Sequence, residues 1–317
     1  MPERPRIFID GEAGTTGLGI RERLLALSTI ELRSLPAEKR KDLEARRAIM
    51  SEVDLVVLCL PDEAAIEAAA IAENLGPSAP KLLDASTAHR VHPDWVYGFP
   101  ELALGQAEKI AAAQRVANPG CYPTGAIALI RPILDAGVLP PDYPVSINAV
   151  SGYSGGGKAM IEAHERSGGP AFEIYGLNFQ HKHVPETQLY SGLTRRPIFI
   201  PSVGHFRQGM LVCIPLHLDT LSGGASGRDL YHVLAARYVG CPLIQVAPPE
   251  PLRLEPEGLN DTDRMELRVY ASEVHRQALL VARLDNLGKG ASGAAVQNIG
   301  LMLGLDMQAG EKASANA

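Results

Sequence analysis

Short, nearly continuous apolar runs alternate with longer stretches of helical period over the first third of the chain. Residues 7–10 form the first run, and Gly11 follows at once. Leu18, Ile20, Leu24, Leu25 and Leu27 then recur with the spacing of a helix that has a broad apolar face. Residues 30–35 predict a second strand. Residues 53–60 form another apolar run, and Pro61 and Asp62 open an alanine-rich helix that ends near Gly76 and Pro77. Residues 81–85 predict a further strand. Strands apolar throughout and alternating with helices predict a parallel sheet covered on both faces, built from βαβ units.

The pattern changes at Ala117. Residues 118–123 (NPGCYP) read as a tight turn, followed by a helix over 124–136. Residues 140–144 break the chain, and 145–150 predict a strand that ends in the glycine-rich stretch 151–157. Strand-like runs at 197–200, 211–218, 265–270 and 278–284, separated by Gly- and Pro-rich turns, predict a largely antiparallel second domain. The small and apolar residues 294–305 predict a helix that returns to the first domain's sheet. Residues 309–317 are polar and are expected to fray.

Composition narrows the function classes. The chain has 317 residues, 46% of them apolar, and a net charge of −6, so a sizeable core is available and no electrostatic argument points to nucleic acid or an anionic membrane. No apolar run of signal-peptide or membrane-span type occurs, which predicts a soluble cytoplasmic protein. Four cysteines do not make a disulfide framework in a chain of this length. Cys59, Cys213 and Cys241 lie in or beside apolar runs and are expected to be buried, inert thiols.

Cys121 differs, because polar turn residues precede it and a helix start follows. A thiol there meets the positive end of a helix dipole, which favours the nucleophilic thiolate. Gly11, Gly14 and Gly17, with Thr15 and Thr16 between them, sit between the first strand and the first helix, where a diphosphate could approach. Their spacing is GxxGxxG and departs from GxGxxG; a plain strand-to-helix turn is the bland alternative. Where an acidic residue would favour NAD, the second strand ends in Ser34, with Lys39, Arg40 and Lys41 after it and Glu31 and Glu38 nearby. A hydroxyl and basic residues suit the 2′-phosphate of NADP, although a solvated basic segment would look the same. Residues 151–158 (SGYSGGGK) suit either a cofactor ring or a flexible hairpin. His181, His183 and Glu186 place two imidazoles and a carboxylate within six residues, fit for acid–base chemistry; no further ligand at suitable spacing supports a metal. In an extended segment the two histidines would share a face, so spacing does not separate them. His89, His92 and His205 are open to surface and catalytic readings alike.

Together GEAGTTG at 11–17, NPGCYPT at 118–124, SGYSGGGK at 151–158, HKHVPE at 181–186 and DNLGKGASGAAVQN at 285–298 resemble the N-acetyl-γ-glutamyl-phosphate reductase family, in its shorter, type 2 branch. The resemblance covers nearly the whole chain. It implies a Rossmann-type doubly wound α/β domain over 1–118 and 287–317, and an α+β catalytic and dimerisation domain over 119–286. It implies NADPH-dependent reduction of N-acetyl-γ-glutamyl phosphate to the semialdehyde in arginine biosynthesis, by a homodimer or homotetramer. Cys121 matches the family's nucleophile, and His181, His183 and Glu186 its histidine motif, with His181 favoured as the acid–base group. Arg90 matches an arginine near the substrate phosphate, Arg207 is a candidate for the substrate carboxylate, and Asn118 and Lys158 join them as substrate contacts. Beside the glycine loop, Ser34 and Arg40, the implied cofactor contacts are Pro61, Ser86, Ser154, Gly155, Gly157 and Asn286.

The residues support a thiolate attack on an already activated acyl group, a thioester, and hydride delivery to it. Reduction of a sibling acyl phosphate, of aspartyl or aminoadipyl type, is the alternative within enzymes. A non-catalytic NADP-binding sensor and, more distantly, a zinc hydrolase are alternatives of other classes.

Overall fold

The computed structural model describes residues 4–305, so the polar tail at 309–317 lies outside the described residues. Two compact units divide the chain. The first takes the residues up to Pro119 and those from Ala291 onward; the second is Gly120–Gly290. The chain thus passes between the units after Pro119 and after Gly290.

The first unit carries β1 (Arg6–Asp10), α1 (Thr15–Leu25), β2 (Glu31–Arg33), α2 (Leu43–Met50), β3 (Leu55–Leu58), α3 (Asp62–Glu73), β4 (Lys81–Asp84), β5 (Val96–Tyr97), α4 (Gln106–Ala112) and β6 (Arg115–Ala117). The sheet order is β2-β1-β3-β4-β6-β5, and every pairing is parallel. Alternate residues of each strand enter opposite cores, as the pleat requires. Ile7, Ile9, Leu55, Val57, Leu83 and Val116 pack with Ile20 and Leu24 of α1 and Ile110 of α4. Phe8, Val56, Leu58 and Leu82 pack on the other face with Ile49 and Met50 of α2 and the alanine stripe of α3. This two-sided burial is why the strands read as unbroken apolar runs.

A C-terminal helix, Gly293–Leu303, completes the first face through Ala295, Ile299 and Met302. Ile299 is fully buried. Ile299→Ala is therefore expected to cost about 2–5 kcal/mol of unfolding free energy, measured by urea denaturation. A loss under about 1 kcal/mol would show that the helix does not seal this core.

The second unit carries α5 (Cys121–Asp135), β7 (Ser146–Gly152), α6 (Gly157–Ser167), β8 (Phe172–Ile174), α7 (Val184–Ser191), β9 (Ile198–Gly204), β10 (Met210–His217), α8 (Gly227–Tyr238), β11 (Ile244–Val246), β12 (Met265–Ser272) and β13 (Gln277–Leu284). Its sheet order is β11-β12-β13-β10-β7-β9-β8. The sheet is mixed: β7 and β9 run parallel, as do β11 and β12, and the remaining pairs are antiparallel. Helices α5 and α8 lie against it. Among the described residues no helix is long and apolar enough to cross a membrane.

Three expectations change. The helix expected at 124–136 starts at Cys121, because Pro123 sits in the first turn, where a missing N–H costs nothing. Residues 151–157 are not a hairpin: β7 runs to Gly152, and a 3₁₀ turn, Tyr153–Gly156, leads into α6. Residues 181–183 are not extended; they form a turn that enters α7, with Pro185 in its first turn.

Candidate active site

The candidate residues fall in both units. In the first, Gly11 to Gly17 link β1 to α1. Gly11 has φ +91°, and a Cβ there would meet the Cys59 carbonyl oxygen at 2.2 Å. Gly17 is as tightly held, its added Cβ falling 2.5 Å from the Gly11 oxygen. Gly14 is different. It is the N-cap of α1, no side chain caps the helix, and an added Cβ would meet no atom nearer than 3.5 Å. Protein packing does not require glycine at that position, whereas close approach of a diphosphate to free helix N–H groups does. Thr15 and Thr16 open the helix beside it.

At the end of β2, Ser34 and Arg40 both engage Glu12. The Ser34 hydroxyl donates to Glu12 Oε2 at 2.9 Å, and Arg40 donates to Oε1 at 2.7 Å. Arg21 Nε lies 3.4 Å from Oε2. Pro61 is the N-cap of α3. Ser86 is buried, its hydroxyl donating to Asp84 at 2.8 Å. Asp84 also holds His89 Nδ1 at 2.6 Å, and the His89 ring stacks on Trp95 at 4.1 Å between centroids. That settles His89 as an interior residue, while His92 is exposed. Arg90 follows and is buried; its Nε donates to the Asn118 carbonyl at 3.0 Å. Asn118 is itself anchored, with its side-chain nitrogen donating to Ala291 O and its oxygen accepting from Asn298. The Asp84 network thus fixes the loop that carries Arg90.

In the second unit, Cys121 is the first residue of α5 and Gly120 its N-cap. Glu186 is almost fully buried, and its Oε2 accepts the Gly120 N–H at 3.1 Å. The carboxylate therefore pins the backbone that presents Cys121, a contact at the positive end of the helix. From another side, the turn at Gly288–Ser292 approaches so closely that a Cβ on Gly290 would lie 2.9 Å from Cys121 Cβ.

Tyr122, the next residue, brings the histidines in. Its ring centroid lies 6.3 Å from His181 and 5.9 Å from His183, and Tyr175 and Phe199 approach His181 to 5.6 and 5.0 Å. Burial in this ring cage, with the Lys182 charge second, pushes the His181 pKa down to about 4, so the imidazole is neutral at neutral pH. His181 Nδ1 accepts the His183 backbone N–H at 3.1 Å, which places the ring proton on Nε2. His181 is thus set up as a donor through Nε2.

The glycine-rich loop is zipped to residues 206–209. Tyr153 and Ser154 donate their N–H groups to the Phe206 and Arg207 carbonyls, both at 2.9 Å. Asn286 is buried and fully engaged, its nitrogen donating to Ser154 Oγ at 2.9 Å and its oxygen accepting from Gly209 N at 2.8 Å. It braces the loop. Gly155 and Lys158 are exposed, and Gly157 adopts φ +72° at the start of α6. Arg207 is exposed and paired with Glu165 at 2.8 Å. His205 meets His164 nitrogen to nitrogen at 2.9 Å beside Tyr153.

Burial pushes the Cys59 thiol up to about 12 and raises that of Cys213, which suits inert cysteines. Cys241 is only half-buried. Among the described residues no three His, Cys, Asp or Glu side chains converge as a metal site.

The geometry can be set against known proteins. Residues 26–113 match the model of the semialdehyde dehydrogenase NAD binding domain, and 121–286 that of the semialdehyde dehydrogenase dimerisation domain. The N-acetyl-gamma-glutamyl-phosphate reductases of Brucella ovis and Brucella canis are each 53% identical to the chain over 310 residues, covering 95% of it and 99% of theirs. The chain belongs to the N-acetyl-gamma-glutamyl-phosphate reductase family. Within solved structures, aspartate semialdehyde dehydrogenase II from Vibrio cholerae, complexed with ASA, superposes with a TM-score of 0.71 at 17% identity, over 95% of this chain and 98% of that one. The Candida albicans aspartate semialdehyde dehydrogenase with NADP gives 0.64 at 14%, over 93% and 97%. These two share the fold.

For an N-acetyl-gamma-glutamyl-phosphate reductase family member, several neighbours of the motif residues were missed from sequence. Tyr175 and Phe199 form the cage around His181, and Glu12 occupies Ser34 and Arg40. Lys289 is a lysine buried to 1% exposure next to Gly290. The one available signal was the charge within GEAGTTG, a carboxylate in a loop otherwise suited to anions.

Proposed function

We propose that the chain converts N-acetyl-γ-glutamyl phosphate and NADPH to N-acetylglutamate 5-semialdehyde, phosphate and NADP⁺, as a cytoplasmic step of arginine biosynthesis. The observation that carries the reading is Cys121 at the first residue of α5, its backbone held by Glu186, with the caged His181 against the ring of the next residue, Tyr122. The helix end favours negative charge on sulfur. The thiolate attacks the acyl carbon; the S–C bond forms and the C–O bond to phosphate breaks, leaving a thioester. NADPH, when bound, supplies the hydride that reduces it. His181, neutral and protonated on Nε2, donates a hydrogen bond to the oxyanion that hydride addition creates, and as the C=O bond re-forms the C–S bond breaks to free the aldehyde and the thiolate.

The first unit supplies cofactor binding in this reading. Gly11, Gly14, Thr15, Thr16 and Gly17 receive the diphosphate, Ser34 and Arg40 the 2′-phosphate, and Pro61 and Ser86 border the site. The second unit supplies Ser154, Gly155 and Gly157 toward the cofactor, with Asn286 bracing that loop. Arg90 takes the phosphate group and Arg207 the carboxylate of the substrate, with Asn118 and Lys158 as further contacts. The match of 121–286 to a dimerisation domain supports a homodimer, which in turn can pair into a homotetramer.

The test runs the reaction backward: N-acetylglutamate 5-semialdehyde and phosphate should reduce NADP⁺, with kcat/KM well above that for aspartate semialdehyde. Folded protein with no such activity, or one that prefers the aspartate compound, overturns the reading.

A further inference from the structure

In a dinucleotide fold the second strand's end reads the adenine-side ribose, and a carboxylate there accepts its hydroxyls. Here that position holds Ser34, but a carboxylate reaches the same place from another element. β1 and β2 pair in parallel with Phe8 opposite Arg33, which sets the loop after β1 beside the end of β2. Glu12 uses this adjacency. Its side chain is only 13% exposed, and it gathers Ser34 at 2.9 Å, Arg40 at 2.7 Å and Arg21 at 3.4 Å. The hydroxyl and guanidinium that suit a 2′-phosphate are already committed to an internal anion.

We propose that Glu12 is a specificity-determining residue: its carboxylate competes with the 2′-phosphate for Ser34 and Arg40 and so limits the preference for NADP(H) over NAD(H). This rests on the cofactor reading above. A phosphate dianion arriving at this cluster meets a like charge within a few ångströms, which Glu12 must relieve by giving up its partners. A ribose with a free 2′-hydroxyl meets no such conflict, because the hydroxyl can donate to the carboxylate. Removing the charge while keeping the shape releases both donors to the phosphate. Shortening the side chain by one carbon keeps the charge.

Calorimetric titration of the full chain separates the cases, with adenosine 2′,5′-bisphosphate and adenosine 5′-phosphate as probes. Glu12→Gln is expected to tighten the bisphosphate by about fivefold or more, with the monophosphate unchanged or weaker. Glu12→Asp is expected to keep a ratio of the two affinities near wild type. An unchanged or reduced ratio in a folded Glu12→Gln overturns the inference alone, showing that the carboxylate positions Arg40 for the phosphate. A wild-type protein that binds neither probe overturns the cofactor reading, and the inference falls with it.

Discussion

Cys121→Ser is expected to lower turnover by about three orders of magnitude or more, with stability near wild type. The substitution is close to isosteric and lies at the first turn of α5, where a hydroxyl is well tolerated. The chemistry is not tolerant. A helix end favours negative charge on sulfur, but an alcohol ionises far less readily than a thiol and would need a strong local base. His181 does not offer one in the arrangement seen, since its Nδ1 accepts the His183 N–H and its proton lies on Nε2. The variant's alkoxide would also be a poor leaving group when the reduced adduct collapses. Two measurements check this. Steady-state rates should fall as stated, and mass spectrometry of the wild type mixed with acyl phosphate, without cofactor, should show an acyl adduct that the variant lacks. A variant that keeps near-wild-type turnover removes the covalent route.

Much of this geometry follows from patterns visible along the chain, and the exceptions have physical causes. The parallel sheet was legible because strands buried on both faces are apolar throughout, as in residues 55–58. The C-terminal helix was legible from residues 294–305, small and apolar with too few charges for a solvent face, and it ends at Leu303. Helix α8 was missed amid strand-like neighbours, although Ser226 and Asp229 form a capping box and Leu230, Leu234 and Tyr238 fall at helical spacing. The start of α5 was placed late because Pro123 reads as a breaker until its first-turn position is known. Motifs located Cys121, the histidines and Glu186, but not what each touches. Glu186 was grouped with the histidines, and it accepts the Gly120 N–H, which only the packing of α7 against α5 brings about. The Glu12 cluster depends in the same way on the pairing of β1 with β2, which joins residues 12, 21, 34 and 40. No local pattern carries that information.

His181→Asn is expected to lower kcat by about two to four orders of magnitude, and His183→Asn by distinctly less. The contact by which His183 orients His181 is its backbone N–H, which survives substitution, whereas His181 loses its Nε2–H donor. The pH dependence separates this role from a merely structural one. An exposed histidine would give an acid limb near 6.5, but burial among Tyr122, Tyr175 and Phe199, and secondarily the Lys182 charge, moves His181 to about 4. The wild-type rate should therefore show no histidine limb between those values and should fall only as pH drops through about 4, when protonation at Nδ1 breaks the bond from His183. Stability follows with the same sign. Between about 4 and 6.5 the unfolded chain binds a proton at this position that the folded chain does not, so stability rises with pH across the window and is lost as pH falls through it. Urea midpoints recorded across that window should show a shallower slope in His181→Asn than in wild type. If both histidine variants keep wild-type rates, or if the wild-type limb lies at 6.5, the caged imidazole does not handle the proton. The stability slope would then reflect burial alone, and the donor to the acyl oxygen would have to be sought among the backbone N–H groups that open α5.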